Sequence, residues 1–166
     1  LQEVYHLCQE PRVQGKLIFL ADYDPHMARV LVQGVEVWLN NPRPPLEASG
    51  TSGMKAALNG VLNLSVLDGW WAEGYRPAGP RSPGNGWAIA SPEHARPEVQ
   101  DEADSQALYE LLETQVVPAF YRRGHDGLPH DWIAMMKAAI RTIAPVFCCD
   151  RMLKEYLEVV YRQREA

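Results

Sequence analysis

Short apolar runs set between helical stretches are what most restrict this chain, because strands alternating with helices fold as parallel βαβ units and hence as an α/β domain. Lys16-Leu-Ile-Phe-Leu-Ala21, bounded by Gly15 and Asp22, is continuous and apolar and is predicted to be a strand buried on both faces. Val35-Glu-Val-Trp-Leu39, ended by Asn40-Asn-Pro-Arg-Pro-Pro45, and Val61-Leu-Asn-Leu-Ser-Val66 are predicted as two more, and Trp87-Ala-Ile-Ala90 as a fourth. Residues 1–10 read as the tail of a helix. Residues 25–33 read as a short helix with Pro25 in its first turn, and residues 53–59 as one closed by Asn59-Gly60.

Beyond the strands the pattern changes. Residues 73–97 are dense in Pro and Gly and read as an irregular loop. Three helical stripes follow: Tyr109, Leu112, Val116 and Phe120; Trp132, Met136, Ile140 and Ile143; and Leu153, Tyr156, Leu157 and Val160. All three are expected to face a core, with Arg151–Glu155 and Lys154–Glu158 as opposite-charge pairs on the exposed side of the last. The 166 residues permit one domain, able to bury roughly 70% of its unfolded surface without metal or disulfide staples.

Nothing in the charge suggests a nucleic-acid binder. The net value is −5, and the excess lies in the middle: 3 basic against 9 acidic residues in 61–120, compared with 5 against 6 before and 8 against 6 after. Most of those carboxylates fall between Glu93 and Glu113 and read as a solvated helix start. Cys8, Cys148 and Cys149 are odd in number and badly spaced for disulfides or zinc, which points to a reducing, cytoplasmic setting and to no metal. No apolar run approaches the length of a membrane helix, and no signal peptide is visible. The start at Leu1, within a helical stretch, suggests a piece of a longer polypeptide.

Chemistry concentrates in Glu47-Ala-Ser-Gly-Thr-Ser-Gly-Met-Lys-Ala-Ala-Leu-Asn-Gly60. Small residues from Ala48 to Gly53 let the backbone bend tightly just before a helix, whose unpaired N–H groups and positive dipole end suit an anion, above all phosphate. Ser49, Thr51 and Ser52 can add hydroxyls. The same residues also describe an ordinary Ser/Thr cap with a flexible approach. Lys55, among Met54, Ala56, Ala57 and Leu58, is either a surface charge reaching solvent or an amine in an apolar setting suited to a Schiff base. Glu47 either complements the helix dipole or accepts sugar hydroxyls. Trp70-Trp71 could stack on a pyranose, with packing of at least one the simpler reading. His125-Asp126, His130 and Cys148-Cys149 read as packing or capping. There is no Walker sequence, and Gly84-x-Gly86 lacks a dinucleotide-binding context.

Glu47 to Lys55, with Asn59-Gly60 and Leu67-Asp-Gly69, closely resembles the pyridoxal-phosphate segment of the α-glucan phosphorylases, the glycogen, starch and maltodextrin phosphorylases. The resemblance extends through Phe19-Leu-Ala-Asp-Tyr-Asp24, Ala28-Arg29 and Gly34-Val-Glu-Val-Trp-Leu-Asn-Asn-Pro42, and more weakly through the C-terminal helices. Ser52-Gly53, Trp70-Trp71 and Leu39-Asn-Asn-Pro42 resemble the shorter bacterial branch rather than animal and plant enzymes. Many members have Gly-Asn in place of Ser52-Gly53.

That resemblance implies a fold, a cofactor and roles. The fold is GT-B, two Rossmann-like domains around a cleft, of which this chain matches the C-terminal part of the second: residues 15–90 as the α/β cofactor-binding segment and 99–164 as C-terminal helices, without the N-terminal GT-B domain. Lys55, the family's catalytic-site lysine, stands where pyridoxal 5'-phosphate is held as a Schiff base. Thr51 and Ser52 stand where its phosphate is held, and Tyr23 beside it. Glu47, Ala48, Ser49 and Gly50 stand where the reacting glucose and phosphate bind. The reaction implied is reversible phosphorolysis of terminal α-1,4-linked glucose to glucose 1-phosphate in glycogen, starch or maltodextrin metabolism, by a homodimeric full-length enzyme. The partners are α-1,4-glucan and inorganic phosphate, with no nucleic acid and no membrane. No Lys-Arg pair is present to grip substrate phosphate and no carboxylate dyad to hydrolyse a glycoside, so the chain alone is expected to be inactive. The other readings are a sugar-nucleotide-dependent GT-B glycosyltransferase, which would not need Lys55, and a non-catalytic carbohydrate- or phosphate-binding module.

Overall fold

A computed structural model describes residues 2–44, 46, 50–92 and 96–161, and divides the chain into two units, residues 1–31 and 32–166. In the first unit, α1 (Gln2–Gln9) buries Cys8, and turns through Gly15, whose φ of +74° favours glycine, lead to residue 17. Lys16–Ala21 is not a strand. Ile18 is 70% exposed, and Leu17, Phe19 and Leu20 are exposed beside it. A strand exists only where a neighbour takes its backbone groups, and beyond the isolated Gln14–Leu17 bridge no described segment does so here. α2 (Pro25–Gly34) begins as its sequence predicts. Asp24 accepts the Met27 N–H on Oδ1 at 2.7 Å, and Pro25 follows where a missing donor costs nothing.

The second unit is built on a parallel sheet of three strands in the order β1 (Val37–Asn40), β2 (Leu62–Val66), β3 (Gly86–Ile89). Val37 pairs with Leu62, and Asn63 with Gly86. Between β1 and β2 runs α3 (Ser52–Leu58), which packs on β1, β2 and a later helix, His130–Ile143. All five residues of β2 are buried, as a central strand covered on both faces requires. After β2, Asp68-Gly69 makes a tight turn: Gly69 has φ +52° and ψ −133°, and its N–H is held by the Asp68 carboxylate at 2.7 Å. This turn starts α4 (Trp70–Gly74), an element the sequence reading had left out. Trp70 and Trp71 are both buried, so neither is a sugar platform. The Trp71 indole donates to the Trp87 carbonyl at 3.2 Å and its ring lies against Gly86, where a Cβ would fall 2.5 Å from the Asn63 carbonyl oxygen.

The remaining chain is helical. α5 (Pro97–Leu111) passes through a π-helical stretch, Leu112–Val116, into α6 (Val117–Tyr121). Pro118 lacks an N–H to donate one turn back and its ring crowds that turn, which accounts for the widening just before it. α7 (His130–Ile143) buries Trp132, Ala138, Ala139 and Ile143, and Trp132 packs edge-on against Phe120 at 5.1 Å between ring centres. These two stripes face the core in large part, with Tyr109 and Ile140 turned outward. The third does not. In α8 (Cys149–Glu155) and the π-helical Tyr156–Tyr161, the residues Leu153, Tyr156, Leu157 and Val160 are all exposed, since this segment packs chiefly along itself. Arg151 pairs with Glu155 as predicted, at 2.7 Å. Lys154 instead pairs with Asp150 at 2.8 Å, because the wider turn beginning at Tyr156 rotates Glu158 away from the position four residues on.

Candidate functional site

The site grows from the first turn of α3. Thr51, immediately before it, has φ −69° and ψ −7°, and its side chain makes no capping bond, so among the described residues no side chain caps the orphan N–H groups of this helix start. The cap reading of Ser49, Thr51 and Ser52 fails for Thr51, and Ser52 is inside the helix; Ser49 lies outside the described residues. The Trp38 indole on β1 donates to Ser52 Oγ at 3.1 Å. An indole can only donate, so the Ser52 hydroxyl accepts, and its own proton is left to give elsewhere.

The other end of α3 is held by a Schellman arrangement. Val61 N–H reaches the Ala56 carbonyl and Gly60 N–H the Ala57 carbonyl, both at 3.0 Å, with Gly60 at φ +83°. Asn59 Nδ2 adds a bond to the Lys55 carbonyl at 2.8 Å. Gly53, Ala56 and Ala57 form the buried side of the helix, while Lys55 is exposed. Its neighbours in sequence are apolar, but Ala56 and Ala57 face the sheet and α7, so of the two readings of Lys55 the structure favours the charge that reaches solvent.

Two residues that sequence reasoning missed hold this turn in place. Asn63, on β2 and 1% exposed, donates from Nδ2 to the Gly53 carbonyl at 3.0 Å. A Cβ on Gly53 would collide with Asn63 Oδ1 and come within 2.7 Å of Trp70 Cζ2, so α3 meets β2 and α4 at a distance that only glycine allows. Trp38 is the second. Each is a polar group in a predicted strand, a signal that could have been followed, although the strand pattern does not say what it touches.

Glu47, Ala48 and Ser49 lie outside the described residues. Gly50 is exposed, with open space where a Cβ would stand. Tyr23 is exposed and belongs to the first unit, Lys55 to the second. The His125–His130 region is a capped turn. Asp126 accepts the Leu128 N–H at 3.1 Å and meets His130 Nε2 at 2.9 Å, and these bonds, the Leu128 one foremost, hold its carboxyl below the ordinary carboxylate range.

Comparison with known proteins decides the family. The chain is 48% identical over 161 residues to the glycogen phosphorylase of Aquifex aeolicus, covering 97% of this chain and 22% of that protein. It is 50% identical over 163 residues to the maltodextrin phosphorylase of Thermococcus litoralis and 44% over 162 residues to the glycogen phosphorylase of Mycobacterium tuberculosis, in each case 97% of this chain and 18% of the relative. The chain belongs to the α-glucan phosphorylase family. No protein-family model matches it. The chain spans about one fifth of the length of the curated relatives it matches. Among its described residues no helix is long and apolar enough to cross a membrane.

Proposed function

We propose that this chain is the cofactor-holding part of a GT-B α-glucan phosphorylase, acting in phosphorolysis of terminal α-1,4-linked glucose to glucose 1-phosphate. The observation that carries the reading is 44–50% identity to named phosphorylases over 97% of the chain, including the segment from Glu47 to Lys55. The residues present fit pyridoxal phosphate. Among the described residues the start of α3 has no side-chain cap, the Ser52 hydroxyl has a proton to donate, and Lys55 is exposed within the same turn. A phosphate accepts hydrogen bonds and carries negative charge, and helix-start N–H groups complement both.

Lys55 would hold the cofactor's carbonyl carbon, Thr51 and Ser52 its phosphate, and Tyr23 would lie beside it. When bound, the cofactor supplies a phosphate able to exchange a proton with the substrate phosphate. Glu47, Ala48, Ser49 and Gly50 would take the glucose hydroxyls and the attacking phosphate. The longer enzyme, a homodimer in the cytoplasm, would close the cleft with an N-terminal GT-B domain, and residues 15–90 and 99–164 would be the cofactor segment and the C-terminal helices of the second, C-terminal domain. A nucleotide-sugar glycosyltransferase gives Lys55 no role, which disfavours it.

The test is chemical. Incubation of the chain with pyridoxal phosphate, borohydride reduction and peptide mapping is expected to leave the pyridoxyl group on Lys55. A label found instead on Lys16, Lys137 or Lys154 would overturn the assignment. The unloaded and loaded chain alone are expected to form no glucose 1-phosphate from maltodextrin and phosphate.

A further inference from the structure

We propose that Asn63 is a positioning residue for the cofactor segment: its carboxamide locks the first turn of α3 against β2 and so determines where Lys55 and the helix-start donors stand. The part of this inference that concerns pyridoxal phosphate rests on the function proposed above; the part that concerns the geometry of α3 does not.

Asn63 is the odd member of its strand. Leu62, Leu64 and Val66 alternate with Asn63 and Ser65, and all five are buried. Among the described residues the Asn63 amide makes one hydrogen bond, to the Gly53 carbonyl, while Oδ1 is buried with no hydrogen-bond partner. A leucine would fill the same volume without that cost. Asn85, also buried, shows the ordinary arrangement: Nδ2 donates to the Gly74 carbonyl at 2.8 Å and to Thr142 Oγ1 at 3.0 Å, and Oδ1 accepts the Arg76 N–H at 2.8 Å. A side chain that makes a single bond and leaves an acceptor unmet is placed for that bond. The bond ends in the turn that carries Ser52 and Lys55.

Steric contact completes the lock. A Cβ at position 53 would run into Asn63 Oδ1 and come within 2.7 Å of Trp70 Cζ2, so both side chains press on the Gly53 backbone. α3 therefore has little freedom to slide along β2 or to rotate about its axis. With only seven residues it has small intrinsic stability, and its geometry comes from such contacts.

The experiment compares Asn63→Leu, which keeps the volume, and Asn63→Ala with Asn85→Ala as a control for general loss of packing. Hydrogen exchange of the amides in residues 52–58 is expected to quicken about tenfold in both Asn63 variants, the effect of one hydrogen bond to a buried carbonyl. Exchange in α7 stays unchanged in Asn63→Leu. The yield of pyridoxyl-Lys55 after borohydride, per mole of folded protein, is expected to fall several-fold. Asn85→Ala is expected to lower the Tm without changing either readout at α3. Unchanged exchange at 52–58 in Asn63→Leu would overturn the proposal, as would an equal change in Asn85→Ala. Should the parent chain take no label at Lys55, the proposed cofactor fails, while the exchange data still decide whether Asn63 fixes α3.

Discussion

At the scale of single residues, the site turns on hydrogen-bond direction. Because Trp38 can only donate, it makes Ser52 an acceptor toward the sheet and leaves its hydroxyl proton for another partner. Trp38→Phe keeps most of the packing and removes that constraint. Pyridoxal phosphate binding, followed by fluorescence titration, is expected to weaken about three- to tenfold, the range of one modest hydrogen bond. Gly53 answers to sterics instead. Gly53→Ala forces a Cβ into Asn63 and Trp70, and is expected to destabilise the fold by about 1–3 kcal/mol, read as a lower denaturant midpoint at constant slope. Lys55 and the small residues before it were legible as a candidate anion site because small residues before a helix and a lysine within it are local signals. Asn63 and Trp38 were not, since a strand pattern shows that a residue is buried without showing which atom of another element meets it.

Elements follow the same division between local and distant causes. α2, α3 and the strands β1 to β3 came through with boundaries shifted by a residue or two, because proline at a helix start, Asn-Gly at a helix end and short apolar runs act locally. Lys16–Ala21 has a strand's composition and no neighbour to pair with among the described residues, and composition alone does not make a ladder. α8 has an amphipathic stripe with no described element to receive it. The turn before α7 gives a pH test. Its native bonds favour ionised Asp126, so their contribution is complete above the ordinary carboxylate range and disappears as pH falls through the lowered value. The Leu128 amide is expected to exchange faster in acid than at neutral pH after correction for intrinsic rates. In Asp126→Ala that acid-linked difference should vanish, while α7 stays folded on its buried Trp132 and Ile143.

For the molecule as a whole, the core is centred on β2 and its flanking helices, and of the two outer strands β1 is the less protected. β1 has β2 on one side and, among the described residues, no strand on the other, and Leu39 within it is 48% exposed. Backbone groups along such a margin can recruit any extended chain that arrives, including the same margin of another copy. Light scattering of the chain is therefore expected to rise with concentration, and Leu39→Lys to suppress the rise without lowering the Tm. The strand whose Trp38 holds the start of α3 is, along its other margin, a template for aggregation, and handling of this chain in solution will be governed by that margin before it is governed by chemistry.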